Sequence, residues 1–155
     1  MDRNDVLACR ILVVDDEPAN VHLLEELLAR EGFRQVVGTT DAARVLDLVE
    51  AFAPDLILLD LRMPPPDGYT LLEQLGRVRD PGDWLPVIVL TADPSRSARH
   101  RALGLGAKDH LTKPFDPFEV ALRVWNTLET RVLFKRLRAL AQDDAAPPGW
   151  GRGER

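Results

Sequence analysis

Short apolar runs that stop on polar residues alternate along this chain with longer segments whose apolar positions recur at helical spacing. Ile11-Leu12-Val13-Val14 stops on Asp15-Asp16, Leu56-Ile57-Leu58-Leu59 on Asp60, and Val87-Ile88-Val89-Leu90 on Thr91. Pro54 on one side of the second run and Pro64-Pro65-Pro66 on the other leave no room for a helix. Runs of this kind are strands buried on both faces, as in a parallel sheet. A weaker strand is expected at about 34–39, and a fifth from Ala107 to Leu111.

Helices fill the intervals. Glu17-Pro18 opens the first, Val21, Leu24, Leu27 and Leu28 give it an apolar face, and Gly32 ends it. Asp41 caps the second, with Val45, Leu48, Val49 and Phe52 on one stripe and Pro54 closing it. A third is expected at about 68–78 and a fourth at about 95–104, ending at Gly104 to Gly106. The turn-rich Asp80-Pro81-Gly82-Asp83 precedes the fourth strand. A long last helix starts near Pro117 and reaches about Ala141. The alternation predicts an α/β fold, (βα)5, with helices on both faces of a doubly wound, five-stranded parallel sheet.

The pattern divides the chain into an N-terminal tail (1–8), one domain (9–130), a C-terminal helical extension or connector (131–142) and a disordered tail (143–155). A net charge of −5 gives no reason to expect nucleic-acid or membrane affinity. The single cysteine, Cys9, excludes an internal disulfide and reads as a small hydrophobe at the start of the first strand. With neither a long apolar run nor a charged-then-apolar leader, the expected location is cytoplasmic.

The chemistry gathers where strands end. In open α/β sheets that is the carboxyl edge. Asp15, Asp16 and Asp60 would repel one another there, and a hard divalent cation removes the conflict; oxygen ligands with room for water suit Mg2+. With Thr91 and Lys113 added, the site holds the parts for transferring a phosphoryl group onto a carboxylate.

These residues carry a resemblance. Val13-Val14-Asp15-Asp16-Glu17-Pro18, Asp60-Leu61-Arg62-Met63-Pro64 with Asp67-Gly68, Thr91-Ala92 and Lys113-Pro114-Phe115 stand in the order found in receiver domains of bacterial response regulators. Over about residues 9–130 the chain resembles that family, the phospho-acceptor half of two-component signalling. The resemblance implies a flavodoxin-like sheet in the order 2-1-3-4-5, with Asp60 as phosphorylation site. It also implies Mg2+ held by Asp16, Asp60 and the backbone carbonyl of Arg62, with Asp15 acting through water. Thr91 would hydrogen-bond the phosphoryl group, Lys113 would pair with it, and Lys113-Pro114 would be cis. The aromatic switch position falls on His110, where an imidazole would make the switch sensitive to pH between about 5.5 and 7.5.

The implied partner is a sensor histidine kinase or a histidine phosphotransfer protein. The face of the fourth helix, fifth strand and last helix is a candidate homodimer surface, with Arg96, Arg99, His100 and Arg101 meeting acids such as Asp109, Asp116, Glu119 or Glu129. Leu133, Leu137 and Leu140 form a second candidate stripe, of the type that leads to an output domain. No DNA-binding module is expected between Leu140 and residue 155. Departures from the family pattern are Pro66 before the Asp-Gly pair, and Arg62 and Asp93 flanking the approach of a hydrolytic water. Two rivals are an aspartyl phosphatase of the haloacid-dehalogenase type, which needs an acid where Arg62 stands, and a receiver-like scaffold that dimerises without phosphorylation.

Overall fold

The computed structural model describes residues 1–78, 82–93 and 95–145. Five parallel strands, β1 (Arg10–Val14), β2 (Gln35–Thr39), β3 (Leu56–Asp60), β4 (Val87–Thr91) and β5 (Asp109–Thr112), lie in the order β2-β1-β3-β4-β5. The helices are α1 (Arg3–Leu7), α2 (Pro18–Glu31), α3 (Val45–Phe52), α4 (Gly68–Val78), α5 (Arg96–Gly104) and α6 (Pro117–Ala145).

Alternation along each strand divides the core between the two faces of the sheet. Ile11, Val13, Leu56, Leu58, Ile88 and Leu90 face α1, α2 and α6, where Leu24, Leu28, Val120, Val124 and Leu128 meet them. Leu12, Val14, Ile57, Leu59, Val87 and Val89 face α3, α4 and α5. Each of these strand residues is buried, so burial contributes about 1.5–3 kcal/mol per side chain before the entropy of ordering is set against it. Continuous apolar runs, rather than alternating ones, are what a sheet covered on both faces requires.

The caps follow their signals. The Glu17 side chain accepts from the Ala19 N–H, and Gly32, at φ +103°, closes α2. Asp41 caps a short 3-10 turn (Ala42–Arg44) that leads into α3, so the second helix enters one turn later than its capping residue suggested.

Three expectations need correction. Residues 1–8 are not a tail: Arg3–Leu7 form α1, capped by Asp2 in reciprocal bonds with Asp5, and Val6 and Leu7 are buried. The fifth strand starts two residues later than expected, at Asp109, because Ala107 still closes α5 by donating to the Ala102 carbonyl. The last helix runs to Ala145, past the expected 142. Asp80-Pro81 of the turn-rich connector and residues 146–155 of the expected tail lie outside the described residues. Among the described residues no helix is long and apolar enough to cross a membrane.

Candidate functional site

Every strand of the sheet points the same way, so the residues that end β1, β3, β4 and β5 share one edge. Asp15 and Asp16 follow β1, Asp60 closes β3, Thr91 closes β4 and Lys113 follows β5. The structure brings them together as expected. Carboxylate oxygens of Asp15, Asp16 and Asp60 all lie within 4.8 Å of one another. Asp15 and Asp60 are buried, and Asp16 is open to solvent.

Lys113 bridges the buried pair. Its Nζ stands 3.0 Å from Asp15 Oδ2 and 3.3 Å from Asp60 Oδ1. Asp15 Oδ1 accepts from the Glu17 N–H (2.9 Å), and Asp60 Oδ1 accepts from the Arg62 N–H (3.2 Å). One ammonium against three carboxylates leaves the cluster net negative. Burial, then the Asp15 charge, push the Asp60 carboxyl up to about 7, against the Arg62 N–H and Lys113, which favour ionisation. Burial lowers the Lys113 ammonium, but its bonds to Asp15 and Asp60 prevail and hold it above the ordinary value.

The donor set suits a hard cation. Three carboxylates converge, one of them facing water, and no nitrogen or sulfur ligand belongs to the cluster. Fitting Mg2+ there would relieve the like-charge conflict that raises Asp60.

The neighbouring loops are shaped by backbone contacts. Gly68 donates to the Leu61 carbonyl, and a Cβ on it would fall 2.3 Å from the Asp60 carbonyl oxygen. The loop can therefore fold back under Asp60 only with glycine at 68. Lys113-Pro114 is cis, as expected, and Pro65-Pro66 is cis as well.

Thr91 is buried beside the cluster, but its hydroxyl is engaged elsewhere. It accepts from the Asp93 N–H (2.9 Å) and donates to the Asp93 carbonyl (3.3 Å). Arg62 leans across the mouth towards the Asp93 carboxylate, 3.8 Å away, with its side chain 77 % exposed.

His110 lies one strand out, half-buried, with Nδ1 3.8 Å from Asp109 Oδ1. Burial, then the Arg99 charge, hold its imidazole below the ordinary histidine value, against the pull of Asp109. The charges proposed for a partner surface are partly committed within the chain. Arg123 takes both Asp109 oxygens (2.9 and 2.8 Å) and approaches Glu119 at 3.7 Å. Arg101 lies 3.8 Å over the Tyr69 ring. The Arg101–Tyr69 stack was not anticipated, because it joins two helices by side-chain reach rather than by any local spacing.

Comparison with known proteins agrees with this geometry. The response regulator receiver domain model matches residues 11–124. A curated relative, the uncharacterized transcriptional regulatory protein YbdJ of Bacillus subtilis, is 38% identical over 77% of this chain and 51% of its own length. The response regulator PleD of Caulobacter vibrioides is 38% identical over 85% of this chain and 29% of its own. The chain thus spans about half the length, or less, of these two. Among solved structures, one of a putative response regulator from Chloroflexus aurantiacus aligns with a TM-score of 0.72 at 33% identity, covering 79% of this chain and 98% of that one. A probable two-component system response regulator/GGDEF domain protein aligns with a TM-score of 0.73 at 32% identity, over 81% and 51%. With the family model matching residues 11–124, most of the chain, and the sheet carrying its acid cluster at the carboxyl edge, this chain belongs to the response regulator receiver domains of two-component systems.

Proposed function

We infer that the chain is a phosphorylation switch in which Asp60 accepts a phosphoryl group from a phosphohistidine. The donor is a sensor histidine kinase or a histidine phosphotransfer protein. The observation that carries this reading is the meeting of Asp15, Asp16 and Asp60 with the Lys113 ammonium at one sheet edge.

In this reading Asp16 and Asp60, with the Arg62 carbonyl, would hold Mg2+, and Asp15 would act through water. The ion supplies positive charge against the phosphoryl oxygens. An Asp60 carboxylate oxygen attacks phosphorus in line, the P–N bond to histidine breaks, and the imidazole leaves with its electron pair. Lys113, already beside Asp60, neutralises a second face of the incoming group. Thr91 gives up its Asp93 carbonyl and donates its hydroxyl to a phosphoryl oxygen. Hydrolysis later returns the carboxylate, so the chain acts as a signalling switch rather than as a turnover enzyme.

The output is a changed protein surface. That surface drives homodimerisation through α5, β5 and α6, through the leucines of the α6 extension, or through both, and relays to an output domain where the whole protein carries one. Docking of the donor is supported by a groove of about 540 Å³ between α2 and α6, lined by Leu23, Leu27, Phe118, Leu122 and Trp125.

Incubation with acetyl phosphate and Mg2+, followed by intact mass, tests the reading. One added phosphoryl group is expected on the wild type and none on Asp60→Asn. An unmodified wild type that also ignores beryllofluoride would leave the non-phosphorylated scaffold as the better account.

A further inference from the structure

At the end of the sheet opposite Asp60, α1 and the later turns of α6 are fastened to each other and to the body. Asp55, buried at the start of β3, is the node. Its Oδ2 accepts from the Arg10 N–H (2.9 Å), and its Oδ1 takes Lys135 Nζ (2.9 Å) and lies 3.5 Å from Arg131 Nε. Arg131, itself buried, also reaches Asp83 (3.2 Å) and donates to the Trp84 carbonyl. Arg138 meets the same Asp83 oxygen at 3.1 Å. Arg136 reaches Asp5 of α1 at 2.8 Å. Between these ion pairs the Phe134 ring packs edge-on against Trp84, centroids 5.8 Å apart, and Val132 lies on the core. From the other side, Arg3 of α1 lies 5.2 Å over the Trp125 ring of α6.

We propose that α1 and the last turns of α6 form a single clasp, locked by Asp5, Asp55 and Asp83 against Arg131, Lys135, Arg136 and Arg138, that holds the extension rigid on the receiver. Each of the four cations between Arg131 and Arg138 is matched to an acid outside α6. That pinning turns the opposite side of the helix outward, so Leu133, Leu137 and Leu140 stand exposed in a fixed direction. The extension is therefore part of the receiver and not a free tether.

The clasp has two layers. The Arg131–Asp55 pair is nearly solvent-free and resists screening, whereas Lys135, Arg136 and Arg138 are open enough for salt to weaken them. α1 is five residues long, too short to stand alone, so its order depends on α6.

Amide hydrogen exchange on the whole chain tests the clasp. Arg131→Met is expected to speed exchange over residues 132–142 at least tenfold, and over residues 3–9 alongside, while Leu56–Leu59 stay protected. Should Arg131→Met unfold the sheet, Arg136→Ala decides the matter, because it removes an exposed link only. In Arg136→Ala, residues 3–9 and 136–142 should both exchange several-fold faster, and raising salt from about 0.05 to 1 M should do the same to the wild type. Unchanged exchange in both segments, or a response in one without the other, would overturn the clasp.

Discussion

Lys113 holds its ammonium 3.3 Å from Asp60, although the two residues arrive on different strands separated by β4. The contact makes Lys113 part of the resting site, before any phosphate is present. Removing it in Lys113→Met would leave Asp15 and Asp60 to repel each other without a counter-charge. A stability loss of about 1–3 kcal/mol is expected in metal-free buffer at pH 8. Mg2+ should recover part of it, which urea melts with and without the ion would record.

The pH dependence of the site has a defined sign. Asp60 titrates at about 7 in the folded, metal-free chain and near 3.9 when unfolded. The folded state therefore binds the extra proton between those values. That proton's contribution to stability is complete below the unfolded value and is lost as pH rises through about 7. Metal binding runs the other way, since it needs the ionised carboxylate. The Mg2+-induced rise in Tm should be largest at pH 8 and shrink steadily below 7. A rise of equal size at pH 5.5 and 8 would contradict the assignment of Asp60 to the metal.

His110 titrates lower than the sequence suggested. Burial, then the Arg99 charge, hold its imidazole below the ordinary histidine value, against the pull of Asp109. The groups around it are Arg99, Asp109, Arg123 and Glu119. The midpoint of any pH effect on the switch should thus lie on the acid side of an ordinary histidine, and the effect should vanish in His110→Phe. Proton NMR of the imidazole would read the midpoint directly, and a value above that of free histidine would refute the placement.

Arg62 and Asp93 face each other 3.8 Å apart over the mouth of the site. If that pair hinders the hydrolytic water, Arg62→Ala should shorten the acyl-phosphate lifetime several-fold without altering Mg2+ binding. An unchanged lifetime disposes of the idea. Because both side chains reach solvent, little change in stability is expected.

Gly68→Ala tests the loop under the acceptor. A methyl group 2.3 Å from the Asp60 carbonyl oxygen cannot be accommodated without moving backbone. The expected cost is about 1–3 kcal/mol, with weakened Mg2+ binding as the loop is displaced. Full retention of both would show that the loop yields more easily than its contacts suggest.

Most of the fold was legible because its signals are local. Strands buried on both faces write themselves as continuous apolar runs, and the carboxyl edge collects whatever follows them. Asp15, Asp16, Asp60, Thr91 and Lys113 were found that way, and the structure gathers them. What escaped depends on distant partners. Residues 1–8 read as polar, yet Asp2 and Asp5 reciprocally cap α1, a helix so short that it depends on tertiary partners such as Arg136 of α6. Likewise Asp55, Asp83 and Arg131 look like ordinary surface charges until the tertiary fold buries or pairs them. The Thr91 bonds to Asp93 could not be foreseen either, since a hydroxyl's choice between neighbour and ligand is a matter of geometry.

The direction of α6 has a practical consequence. Starting beside Lys113 and running down to Asp55, the helix delivers its carboxyl end to the pole of the molecule farthest from the acceptor edge. A fluorescent reporter, an affinity handle or an enzyme joined directly after Ala145 would sit at that pole and leave the mouth of the acid cluster unobstructed.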